Sequence, residues 1–263
     1  MKIGILDSGV GGFSVLREIH AVLPSKSIHY VADSAWCPYG NKPGEVIRDR
    51  VTQIADYLLE KGSEILVIAC NSATIHAVGS LRATYPIPIV GMEPAVKPAA
   101  EMTRSGVVGV LATEASIAGE KFHQLVNNHA RGVRVITQPC PRFVELVEAG
   151  ILEGPEAEAA VDEAVTPILE AGADVLVLGC THYPFLRRTI KRQVPDDIAL
   201  IDTGPAVAQR VVDVLPAESD SFEESSEIHI ETTGTREALE RLFPKLLPGL
   251  DATLTESPLR NSP

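Results

Sequence analysis

Cysteine is scarce in this sequence: Cys37, Cys70, Cys140 and Cys180 are the only four in 263 residues, with no C-x2-C pair and, Cys180-Thr181-His182 apart, no short Cys/His spacing. That removes the usual signature of a structural zinc site, and no metal is expected. In a reducing compartment disulfides are not expected either. Basic residues are in deficit. There are 23 Lys and Arg against 35 Asp and Glu, a formal net charge of -12, which argues against nucleic acid as a partner because phosphates need clustered cations. A small anionic substrate stays open, since a pocket can be lined locally with amides. No apolar run approaches the roughly 20 residues that cross a membrane, so no membrane partner is expected. The opening MKIGILDSGVGG reads as a first strand and turn, not as the longer apolar region of a secretory signal. A cytoplasmic protein is expected, with no basis for a regulatory segment ahead of that strand. The G-x-G-x-x-G spacing of a dinucleotide-binding fingerprint is also missing.

What is present is an alternation of short apolar runs with helical patterns. Hydrophobic residues make up 45% and charged residues 22%, ordinary for a folded α/β protein. Strands are expected at residues 2–6, 27–31, 65–69, 87–91, 106–111, 134–137, 175–179 and 199–201. These nearly continuous apolar runs suit parallel strands covered by helices on both faces. Helices are expected over stretches such as 44–61, 156–171 and 206–215. The chain also repeats itself. EILVIACN at 64–71 is echoed by DVLVLGCT at 174–181, GILDS at 4–8 by GVLAT at 109–113, and IVGMEPAV at 89–96 by LIDTGPAV at 200–207. Three matches in the same order, at offsets of 105, 110 and 111 residues, point to a duplicated α/β unit. The expected domains are 1–95 with a returning tail 208–263, and 96–207. In that tail the acidic stretch 218–227 reads as a solvated loop, followed by a strand-helix pair.

Ligands of parallel sheets bind beyond the carboxyl ends of the strands, so chemistry is expected there. The first strand ends in Asp7-Ser8 and runs into a glycine-rich turn whose amides could bind a carboxylate. Asp7 could equally cap the following helix. Cys70 follows a strand and precedes Asn71-Ser72 at a helix start. Cys180 stands at the equivalent point of the second unit, followed by Thr181-His182-Tyr183. Two thiols at matching positions of a duplicated unit imply a site between the halves with a thiol on each side. That suits inversion of a stereocentre, in which a proton leaves one face and another arrives at the opposite face. One thiolate and one thiol would exchange roles between the two directions.

At this point the residues resemble a family. DSGVGG at 7–12, PYG at 38–40, ACNSAT at 69–74, VEAG at 147–150 and GCTHYP at 179–184 are similar, in order and spacing, to the glutamate racemases of the aspartate/glutamate racemase superfamily. The resemblance implies two pseudo-twofold-related α/β domains with mostly parallel sheets, an active site in the cleft between them and no cofactor. It implies interconversion of L- and D-glutamate by Cys70 and Cys180, in support of peptidoglycan synthesis, with homodimerisation as a further implication. Asp7 would assist at Cys70, and Glu148 and His182 near Cys180. Substrate contacts would come from Asp7, Ser8, Tyr39, Gly40, Asn71, Ser72, Thr181 and His182. Within that set, Asp7 would accept from the ammonium, and Asn71, Ser72 and Thr181 would hold the α-carboxylate. The backbone amides at Tyr39-Gly40, with Ser8, would hold the side-chain carboxylate. Position 72 is often Thr in this family, and so is position 116, here Ser116 in the ATEAS segment near Thr113.

Other readings of the same residues stay open. His182 could be a core histidine satisfied by a carbonyl, and Glu148, just before a glycine, a solvated helix end. Cys37 and Cys140 read as buried structural thiols, and Trp36 as packing near the Pro38-Tyr39-Gly40 turn. An aspartate racemase, or a related decarboxylase or isomerase on the same fold, is the nearest alternative. A pyridoxal-phosphate racemase would need a Schiff-base lysine, and Lys42, Lys61, Lys97 and Lys121 head no motif. A non-catalytic binding protein would need neither thiol.

Overall fold

The computed structural model describes residues 1–215 and 226–261. The chain opens with β1 (Lys2–Asp7), α1 (Phe13–Val22), β2 (Ser27–Ala32), α2 (Gly44–Glu60), β3 (Ser63–Ile68), α3 (Asn71–Thr84) and β4 (Ile89–Val90). It continues through α4 (Val96–Met102), β5 (Val107–Ala112), α5 (Glu114–Ala118), α6 (Glu120–His129), β6 (Arg134–Pro139), α7 (Pro141–Ala149), α8 (Pro155–Glu170), β7 (Val175–Leu178), α9 (Arg187–Gln193) and β8 (Ala199–Asp202). It closes with α10 (Gly204–Val214), β9 (Ile228–Thr232), α11 (Arg236–Leu246) and β10 (Thr253–Glu256). Two compact units result, one of Met1–Met92 with Gly204–Pro263, the other of Glu93–Thr203. These boundaries fall a few residues before the expected 95/96 and 207/208. Helix α10 belongs whole to the first unit, where it packs on α1.

Every strand pairing in both units is parallel. The first sheet runs β10-β9-β2-β1-β3-β4 and the second β6-β5-β7-β8. Strands one to four of each unit therefore lie in the same spatial order, second-first-third-fourth, and the three repeated segments fall on β1/β5, β3/β7 and β4/β8. The first sheet differs by the two returning strands, β9 and β10, laid outside β2. The expected strand-helix pair in the tail is thus a strand-helix-strand unit. The edge strand β10, TLTE, lacks the apolar run that marks the others. Strand β4 is shorter than expected because Pro88 has no N–H to give the ladder, although its carbonyl still accepts from Leu66 N–H at 3.0 Å. Of the acidic stretch 218–227, all but the last two residues lie outside the described residues.

Helix α2 shows why the sequence folds this way. Ile47, Val51, Ile54, Ala55 and Leu58 are spaced at helical period and all are buried. They meet Leu6, Leu66 and Ile68 of the sheet and Ala73, Ala77 and Leu81 of α3. Truncating Leu58 to Ala there would cost about 2–5 kcal/mol. In the second unit Val108, Val110, Val175 and Val177 pack with Val96, Ala99 and Phe122. Among the described residues no helix is long and apolar enough to cross a membrane.

Candidate active site

In the first unit the candidate residues gather at the carboxyl ends of β1 and β3. Asp7 is fully buried, and its Oδ2 accepts from Gly12 N–H at 2.7 Å, closing the glycine-rich turn into α1. A Cβ on Gly12 would stand 2.6 Å from the Tyr30 hydroxyl and 2.8 Å from Asp7 Cβ, so the turn admits only glycine there. Cys70 is the N-cap of α3 in extended backbone, and Ala73 N–H points at its sulfur at 3.5 Å. An amide and a helix N-terminus at this point favour negative charge on the sulfur. The Ser8 hydroxyl accepts from the Cys70 thiol at 3.8 Å. Asn71 and Ser72, in the first turn of α3, are buried. Neither Asn71 Oδ1 nor Nδ2 has a hydrogen-bond partner among the described residues. An unsatisfied buried amide costs about 1–3 kcal/mol, which makes Asn71 a strong candidate to meet a ligand.

Tyr39 and Gly40 sit in a short 3-10 turn, Tyr39–Asn41, that follows a cis Cys37–Pro38 bond. The Tyr39 hydroxyl is engaged within the protein, donating to Asp33 Oδ2 at 2.6 Å. Burial and the Asp33 charge push Tyr39 well above the usual phenol range. Asp33 also accepts from Arg50 Nε at 2.9 Å and Nη2 at 2.7 Å, and from the Thr233 hydroxyl at 2.8 Å. Burial works against the Arg50 charge, but its bonds to Asp33 hold the guanidinium's pKa above its ordinary value. Trp36 covers this pair, with the Arg50 guanidinium carbon 5.0 Å from its ring centroid. The Asp33–Arg50 network was not among the residues expected at the site. Asp33 lies just beyond the end of β2, where strand-end logic would have found it. Arg50, in the middle of an amphipathic helix, carries no such mark.

In the second unit the candidates form a relay. Cys180 Sγ is 3.7 Å from His182 Nδ1, and His182 Nε2 is 2.7 Å from Glu148 Oε1. His182 is buried, and the Glu148 side chain is 23% exposed at the end of α7. Gly150 ends that helix with φ 74°, a left-handed conformation that glycine adopts without strain. Thr181 is buried beside Cys180. A Cβ on Gly179 would press on the Leu111 carbonyl at 2.9 Å, so glycine lets the turn after β7 lie against β5. Cys180 is not followed directly by an α-helix, as the match with Cys70 suggests. A turn and the 3-10 segment Tyr183–Leu186 come first, and α9 begins at Arg187. The two thiols thus stand at equivalent strand ends with different support, a helix N-terminus for Cys70 and an imidazole-carboxylate pair for Cys180.

Cys140 is buried, and burial, with Cys180 nearby, pushes its thiol far up, so it stays protonated. Its carbonyl accepts from the buried Tyr183 hydroxyl at 2.9 Å. Thr113 caps α5 and donates to the Ser116 hydroxyl at 2.9 Å.

The chain belongs to the Asp/Glu/Hydantoin racemase family, whose model matches residues 4–211. Within it the relatives at about half identity are glutamate racemases. The Pseudomonas aeruginosa glutamate racemase is 49% identical over 246 residues, 93% of each chain. Among solved structures, Escherichia coli glutamate racemase in complex with L-glutamate and the activator UDP-MurNAc-Ala superposes with a TM-score of 0.88 at 31% identity, covering 97% of each chain. Francisella tularensis glutamate racemase in complex with D-glutamate gives 0.82 at 25% identity, covering 98% of this chain and 97% of the other.

Proposed function

We propose that this chain interconverts L- and D-glutamate without a cofactor, Cys70 and Cys180 acting on opposite faces of the α-carbon. The observation that carries the reading is the pair of thiols at the ends of β3 and β7, the third strands of two units whose first four strands lie in the same order. One thiolate removes the α-proton and becomes a thiol. The electron pair left on carbon is stabilised by the α-carboxylate and by fixed dipoles around it, for which the Asn71 amide and the Ser72 and Thr181 hydroxyls are candidates. The other thiol delivers its proton to the opposite face and is left as the thiolate. Each turnover therefore leaves the pair with its proton on the other sulfur, ready for the reverse reaction. His182 and Glu148 position and repoise Cys180, and Asp7 and Ser8 serve Cys70. The side-chain carboxylate is assigned to the Tyr39-Gly40 amides and Ser8. Relatives crystallised with glutamate of either hand support the substrate.

Supply of D-glutamate to peptidoglycan, a cytoplasmic location and a homodimer complete the reading. Light scattering on the purified chain tests the last of these. The central test is incubation with L- or D-glutamate in D2O, followed by circular dichroism and by NMR of α-deuterium. Wild type is expected to racemise and exchange from both enantiomers, and Cys70→Ser and Cys180→Ser to be crippled. Normal turnover by either variant overturns the assigned roles. Activity on aspartate alone keeps the mechanism and changes the substrate.

A further inference from the structure

We propose that His29, His229 and Glu231 form a binding site for a divalent transition-metal ion of the zinc class, remote in sequence from both thiols. His29 on β2 and His229 on β9 are register partners, and Glu231 follows two residues along β9, so the three side chains leave one face of the sheet. Each offers one ligand atom, and the three atoms lie within 4.8 Å of one another. Oε1 is 3.0 Å from His29 Nε2 and 3.2 Å from His229 Nε2. Donors around a tetrahedral zinc at about 2.0–2.1 Å are separated by roughly 3.3 Å, so an ion fits with small adjustments. The two imidazoles meet edge-on, 85° apart with centroids at 4.9 Å, and do not stack.

The surrounding hydrogen bonds can accommodate a cation. The Tyr57 hydroxyl donates to the same Oε1 at 2.9 Å, so this one oxygen has three polar neighbours, and the Thr255 hydroxyl stands 3.1 Å from His229 Nε2. With an ion bound, each histidine presents a lone pair instead of an N–H. Tyr57 then donates to Oε2, already at 3.0 Å, and with Ser257 it orients the carboxylate, the outer support that ligating groups commonly have. His29 and Glu231 are buried while the His229 side chain is 35% exposed, which gives an entry path. Lys2, whose charge reaches His229, donates its ammonium to the Lys61 carbonyl at 3.0 Å. His29 and Glu231 are 202 positions apart, so ligand spacing in the sequence gives no sign of the site. An ion here would clamp the returning strand β9 to β2, a structural role that holds whether or not the racemase reading does.

The full chain, stripped with chelator and titrated with Zn2+ or Co2+ by calorimetry, is expected to bind one equivalent and to melt at a higher temperature. X-ray absorption of the zinc-loaded wild type should show a nitrogen/oxygen shell without sulfur, with two imidazoles. His229→Ala and Glu231→Gln should each weaken binding at least tenfold with far-UV dichroism unchanged, and Tyr57→Phe roughly tenfold. A sulfur shell, an unchanged affinity in His229→Ala, or no binding by wild type overturns the proposal. The wild-type spectrum decides the matter even where a variant fails to fold.

Discussion

Asp33 and Arg50 are the most buried ion pair among the described residues of the first unit, at 0% and 2% exposure, and removing either partner should be expensive in a predictable order. In Asp33→Asn the shape is kept, but the guanidinium loses its counter-charge. The amide NH2 also faces donors where the carboxylate accepted from Arg50, Tyr39 and Thr233. Breaking one side of a buried pair costs about 3–5 kcal/mol, a large share of the roughly 5–15 kcal/mol that holds a typical domain. Arg50→Met should cost less, because the stranded carboxylate can take up a proton whereas an arginine cannot lose one. The double variant removes both charges and should recover about 2 kcal/mol against the sum of the singles. Trp36 is the only tryptophan and lies against Arg50, so its fluorescence during urea unfolding reports on this site. An Asp33→Asn midpoint equivalent to less than about 1 kcal/mol of loss, or strict additivity in the double variant, would refute the reasoning.

Asn71→Ala should leave stability unchanged or raise it by about 1 kcal/mol, since the amide is buried without a partner. The same change should raise KM for glutamate roughly tenfold or more, measured by coupled assay beside thermal melts. Glu148→Gln keeps a group beside His182 but removes the charge, and kcat should fall about tenfold or more in both directions with KM little changed. Gly179→Ala should cost about 1–3 kcal/mol, because the new methyl meets the Leu111 backbone carbonyl. Asp174 accepts from the Arg104 and Ser105 amides at 2.7 and 2.9 Å. Against a burial penalty, these bonds and the Thr103 hydroxyl lower its carboxyl to about 2. The native state therefore binds this proton more weakly than the unfolded chain, so the contribution is full above pH 4 and is lost as pH falls toward 2. Solvent screening reduces it to about 1 kcal/mol, and Asp174→Asn should show that deficit at pH 7 and none near pH 2 in melts across pH.

How far the sequence could be read depended on whether a residue's role was local. Strands such as β1, β2 and β7 are apolar and covered on both faces, so their positions stood out within a residue or two. The duplication was visible because equivalent strands keep equivalent turns, GILDS against GVLAT and ACN against GCT. The gathering of Ser8 with Cys70 and of Cys180 with His182 follows from adjacency to strand ends. The Glu148–His182 contact, 34 residues apart, was reached through resemblance alone. Strand β10 escaped notice because an edge strand needs no apolar run. The Asp33–Arg50–Thr233 network escaped because its members look like surface residues until three separate segments converge. The difference in support for the two thiols was hidden by their matching motifs, since α3 starts directly after Cys70 whereas a turn intervenes after Cys180.

The insertion of Glu93–Thr203 between β4 and α10 sets an order of assembly during synthesis. All four strands of the inserted unit leave the ribosome before β9 and β10 exist. At typical elongation rates of about 5–20 residues per second, making that insert takes roughly 5–20 s. Through that interval β2, with its sequence SIHYVA, has no partner on its outer side, because Ile228–Thr232 has yet to be made. A largely apolar strand with an open edge is a template for pairing with another chain. The nascent protein is therefore most exposed to misassociation while its second half is being made, and the late arrival of β9 closes that window.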